Sequence, residues 1–150
     1  MAKKKSTITP AKTIPAKGEM SLSMLERFTL TTNVLPQSGS IEETAQIWEL
    51  RGILDPSEEE QEEYGITPNM DGRTGEQDGW AYKPDKIKDT DKDFEFEGDH
   101  LTLIQKGFKL LVARNLFPTQ DRAFHRLYLK FHPEERSRFP WITPDDEENE

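Results

Sequence analysis

The sequence predicts a mainly α fold of the α+β class: about five helices and one β-hairpin, between flexible N- and C-terminal arms. Three observations predict it. Large apolar residues recur at helical spacing in four blocks, each bounded by a capping residue, proline or glycine, and the acidic stretch 55–65 carries helix caps at both ends. Residues 89–99 instead alternate with a period of two. Both ends lack any apolar period. A length of 150 residues fits one domain. The expected divisions are a basic arm over 1–19, a globular body over 20–138 and an acidic tail over 139–150. Only 33% of the residues are hydrophobic and 33% are charged. The clustering of the apolar ones favours a folded body over a disordered chain.

The first helix is expected from about Ser21 to Val34, capped by Ser21 or Ser23. Leu22, Leu25, Phe28, Leu30 and Val34 form its stripe. Pro36 and Gly39 break it. Ser40 and Glu43 then form a capping box for a second helix, in which each side chain satisfies the other residue's orphan N–H. Its apolar face is read as Ile41, Thr44, Ile47, Trp48, Leu50 and Leu54. Asp55 as N-cap, Pro56 in the first turn, Glu58 as box partner and Gly65 as terminator predict a short third helix. Residues 67–79 read as a turn-rich loop. Residues 79–83 are expected to pair with about 92–97 as a hairpin. Asp89, Asp91, Asp93, Glu95, Glu97 and Asp99 would then face water, with Phe94 and Phe96 on the core. A fourth helix is expected from about Asp99 to Asn115, with Gly107 in its middle as a point of close approach or a weak spot. Thr119 is expected to cap the fifth, whose Phe124, Leu127, Tyr128 and Phe131 make an amphipathic face before His132-Pro133 ends it.

Charge is distributed in blocks beneath a net −9. Residues 1–20 carry +4, 21–104 carry −13, 105–138 carry +5 and the last six carry −5. Such blocks either satisfy one another within the fold or meet differently charged partners. There is no cysteine, so disulfides, zinc–thiolate sites and thiol chemistry are excluded. No apolar run reaches the length of a membrane span, and no apolar segment follows the lysines of the N-terminus as a secretory signal requires. The expected location by default is therefore cytoplasmic, with no membrane partner.

No phosphate-binding glycine loop, nucleophile elbow or HExxH motif is present. Residues 89–100 share the early aspartates of a calcium loop, but Phe94 stands where glycine must make the turn and His100 where a bidentate glutamate must close it. His100, His125 and His132 make no i, i+4 pair. No cofactor, metal or catalytic residue is expected, and the chain reads as a non-enzyme.

Two kinds of binding residue remain. Acids crowd residues 55–63 and 89–99, making Glu58, Glu59, Glu60, Glu62, Glu63, Asp91, Asp93, Glu95 and Glu97 candidate partner contacts. Whether the two patches together imitate duplex phosphates depends on their relative placement. Phe139 and Trp141, in "FPWITP", are candidate aromatic anchors. The alternative is a nucleic-acid-binding accessory protein. It would use Lys3, Lys4 and Lys5 of the arm, Arg122, Arg126 and Lys130 at i, i+4, i+8 on the last helix, and Arg136. The same stripe would serve equally well to neutralise the acidic segments of its own chain.

Residues 25–66 and 94–131 together resemble small, mostly uncharacterised bacteriophage proteins. These have a leucine-rich first helix, a Leu-Pro-x-x-Gly turn, an acidic Ser-Glu-Glu-Glu segment and a closing apolar helix pair; here the turn is Leu35–Gly39 and the acidic segment Ser57–Glu60. The resemblance implies a phage origin and no particular reaction. The leading expectation is a non-enzymatic phage interaction protein whose protein partner is a host enzyme, which it inhibits, or a subunit of a virion or other phage complex. Its oligomeric state is not read from the sequence.

Overall fold

Five α-helices and two short antiparallel strand pairs make up residues 18–142, the part of the chain described by the computed structural model. The mainly α expectation holds. The expected hairpin is replaced by two different pairings. Strand β1 (Glu19–Leu22) comes first, where the start of the first helix was expected. It pairs with β4 (Lys92–Glu95), placing Met20 opposite Phe94 and Glu19 opposite Glu95. Strand β3 (Gln77–Ala81) pairs instead with β2 (Thr67–Met70), in the segment read as a loop. Asp71 closes that turn: its N–H donates to Glu76 O at 2.8 Å and its carboxylate accepts from Arg73 N–H at 2.8 Å. The alternation over 89–99 did mark the faces correctly. Phe94 and Phe96 are buried, and the acids at odd positions are exposed.

Helix α1 (Met24–Thr29) begins at Ser23, whose hydroxyl and Glu26 form a capping box. It passes into a π turn over Leu30–Val34, in which Leu35 N–H donates to Leu30 O at 2.9 Å. Helix α2 (Ile41–Leu54) has the expected Ser40–Glu43 box. Helix α3 (Glu58–Tyr64) starts two residues later than expected, capped by Ser57 with Glu60, and ends at left-handed Gly65 as expected. Helix α4 spans Gly98–Ala113. Helix α5 (Arg122–Phe131) is capped by Asp121 rather than Thr119, because the Asp121 carboxylate accepts from Phe124 N–H at 3.0 Å.

Helices α4 and α5 carry the main core. Phe108 is fully buried, with the rings of Phe124, Tyr128, Phe131 and His132 at 5.2–5.8 Å. Burial of such a side chain is worth about 1.5–3 kcal/mol, and edge-to-face ring pairs add to it. Gly107 explains how α4 reaches the π turn: a Cβ there would overlap the carbonyl oxygen of Val34. The packed body runs past the expected boundary at 138, since Phe139 and Ile142 are buried in this core. A smaller cluster of Met24, Phe28, Ile66 and Ile87 lies under the β2–β3 hairpin.

Arg27 ties these parts together. It is 1% exposed. Its guanidinium donates to Leu54 O at 2.9 Å, to Asp55 O at 3.0 Å and to both Glu60 carboxylate oxygens at 2.8 and 3.0 Å. The Phe94 ring lies 5.3 Å from it. One cation thus caps the end of α2, orients α3 and packs on β4. This is the planar, multi-donor geometry that lysine cannot supply.

Candidate functional site

The candidate acids divide into different roles. Glu58, Glu59, Glu62 and Glu63 are exposed on α3. Glu60 is not on that surface: its side chain is 16% exposed and paired with Arg27. The Arg27 hydrogen bonds hold its carboxyl down at about 2, against the opposing effect of burial. Asp91, Asp93, Glu95 and Glu97 are exposed along β4 and its flanks. Partial desolvation raises the Asp91 carboxyl above its ordinary value; Lys130 opposes the shift, while Glu26, Asp89 and Asp93 add to it.

The sheet adds an acid that alternation alone did not place there. Glu19 sits directly opposite Glu95 in the β1–β4 register, and both are exposed. Directly opposed like charges are unfavourable on a strand pair by some tenths of a kcal/mol. Glu19, Asp93 and Glu95 therefore lie together on a small sheet whose charges repel one another.

The basic stripe of α5 is turned largely to internal use. Lys130 Nζ donates to Glu26 at 2.9 Å and to Ser21 O at 2.7 Å, anchoring α5 to the β1–α1 junction. Arg122 donates to Trp141 O at 2.9 Å. Arg126 and Arg136 are half-buried and also engaged. Lys3, Lys4 and Lys5 lie outside the described residues.

The two aromatic candidates lie against α5. Phe139 packs among Phe117, His125, Tyr128 and Trp141. Trp141 is 48% exposed, and its indole N–H donates to His125 Nδ1 at 2.9 Å. His125 Nε2 lies 2.7 Å from Pro118 O. Nδ1 must accept from the indole, so Nε2 carries the proton and donates to Pro118 O. Both residues hold the 139–142 segment onto the body.

A groove of about 590 Å³ was not anticipated. It lies between the α1–π segment, α2 and β3. Phe28 forms part of its wall, with Tyr82 stacked on it at 5.0 Å. Trp80 is fixed by an indole hydrogen bond to Asp55 at 3.3 Å. Trp48, assigned from spacing to the apolar face of α2, is 64% exposed at the groove margin, with the Arg51 guanidinium 4.7 Å from its ring. Ile41 is likewise exposed rather than covered. The volume is that of an ordinary ligand cleft. The available signal was weak: α2 scatters its apolar residues round the helix, and only Leu50 and Leu54 are buried.

Among the described residues, no group of three His, Asp or Glu side chains is arranged to hold a metal ion, and no helix is long and apolar enough to cross a membrane. His100 is occupied by Glu49 at 2.7 Å. No known protein family, curated protein or solved structure matches the chain.

Proposed function

We propose that the chain is a non-enzymatic interaction protein, of phage origin, that binds a basic surface of a protein partner through the acidic face of the β1–β4 sheet. One observation carries this reading: Glu19 and Glu95 are held directly opposite each other on an exposed two-stranded sheet, beside Asp93. Like charges so placed cost stability, and a cationic partner removes the cost on binding. The exposed glutamates of α3 extend the negative field that would steer such a partner. A host enzyme that is inhibited and a subunit of a phage assembly both fit this chemistry.

The nucleic-acid reading is weaker. It needs the α5 stripe at the surface, whereas Lys130 is directed onto Glu26 and Ser21 O. The test is Glu95→Lys. It replaces a repulsive cross-strand pair with an attractive one, so the folded state should gain about 0.2–1 kcal/mol. Partner binding should fall at least tenfold. A variant that is more stable and binds undiminished would refute the proposal.

A further inference from the structure

We propose that the groove between the α1–π segment, α2 and β3 binds a short neutral oligosaccharide. It shares no residue with the acidic sheet, and the proposal stands independently of the protein-binding reading. Three aromatic rings in its wall are each held by a contact of their own. The Trp80 indole donates to Asp55, and Tyr82 stacks on Phe28. Trp48 carries the Arg51 guanidinium against its ring and still leaves most of its surface to solvent. Rings fixed before a ligand arrives lose little freedom when it binds.

The polar atoms between these rings mostly accept. Thr31 and Thr44 already donate their hydroxyl protons, to Phe28 O at 3.1 Å and Ser40 O at 2.9 Å, so each can only accept another. Gln37 donates its side-chain amide to Leu35 O at 3.1 Å and keeps its carbonyl oxygen. The Asp78 carboxylate meets no donor among the described residues. The main-chain carbonyls of Asp78 and Gly79 already accept from Asn69 and Gln77, which leaves side chains to read the ligand. An occupant must therefore bring several donors. Asp78 repels an anion, and Arg51 in the opposite wall repels a cation. A sugar ring meets all of these conditions: it is uncharged, its hydroxyls donate around the rim, and its C–H face lies flat on an aromatic ring. The groove, at about 590 Å³, has the size of a small-molecule cleft.

The test is saturation-transfer NMR of the full chain against neutral trisaccharides of glucose, galactose, mannose and N-acetylhexosamine, in α and β linkage. Adenosine and glycine betaine serve as a planar and a cationic comparison. The strongest saccharide is then titrated into isotope-labelled protein. Transfer should be largest at ring C–H protons, and shifts should concentrate at the Trp48 and Trp80 indoles and at amides 78–82. Trp48→Ala should weaken binding at least tenfold while leaving the fold intact, because Trp48 is already exposed, and Trp48→Tyr should restore most of it. Asp78→Ala should weaken binding at least fivefold. No saccharide tighter than about 5 mM would overturn the proposal. So would shifts mapping elsewhere, an affinity unmoved by Trp48→Ala and Asp78→Ala, or tighter binding of adenosine or glycine betaine than of any saccharide. Glu95→Lys should leave saccharide affinity unchanged, so failure of the groove and failure of the acidic face are read separately.

Discussion

Glu60→Gln tests the pairing that holds α1, α2, α3 and β4 together. The substitution is nearly isosteric, and glutamine's carbonyl oxygen can still serve in the Ser57 capping box, while its NH2 faces Arg27 Nη1, so it removes the charge and one acceptor of the pair. Glu60 is held at about 2 in the fold, against an ordinary 4.5. At about 1.4 kcal/mol per pKa unit the shift corresponds to about 3 kcal/mol. The side chain keeps 16% of its exposure, so solvent screens part of this, and a loss of about 2–3 kcal/mol at pH 7 is expected. A folded pKa below the unfolded one stabilises above the unfolded value and ceases to do so as pH falls through the folded value. The gap between wild type and variant should therefore be constant from pH 7 to about 5, shrink between about 4.5 and 2, and close below that. Urea unfolding at each pH measures it. Adding Arg27→Met completes a double-mutant cycle, which should return a coupling of similar size. A gap below 0.5 kcal/mol at pH 7, or one independent of pH, would refute the assignment of Arg27–Glu60 as the central pair.

Gly107→Ala should destabilise by about 2 kcal/mol or more in thermal or urea unfolding, because the new Cβ overlaps Val34 O. Gly52→Ala is its control: it lies in α2 with nothing near the new methyl, and should stabilise by about 0.5–1 kcal/mol. Ser40→Ala should cost about 1 kcal/mol in urea unfolding, through loss of the box with Glu43. Trp141→Phe keeps a ring but removes the donor to His125; about 1 kcal/mol should be lost, and NMR should show the His125 Nδ1 resonance move as it loses its donor while Nε2–H stays on Pro118 O.

What was legible in the sequence was local. The Ser40–Glu43 box, the Gly65 terminator and the α5 face each depend on residues within two turns, and each was found. The start of α3 was missed by two residues because Asp55–Glu58 and Ser57–Glu60 offer the same spacing. The second register places Glu60 where it both completes the box and meets Arg27, thirty-three positions away. Strand partners were illegible for the same reason. Alternation over 89–99 shows which side of a strand is buried but not what lies beside it, and β4 found its partner at Glu19–Leu22. Of the candidate site, the exposed acids of β4 were legible as a face. The opposition of Glu19 to Glu95 was not, because it follows from that distant register. The groove was hidden further still, being assembled from α1, α2 and β3.

The most direct test of the acidic face compares tagged wild-type protein with a variant combining Asp93→Asn and Glu95→Lys, each used to capture material from nuclease-treated bacterial lysate. Mass spectrometry reads the captured proteins. The account predicts a stoichiometric protein partner that survives nuclease, elutes with rising salt and is lost with the folded variant. Capture that vanishes with nuclease, or a partner held equally well by both proteins, would contradict it.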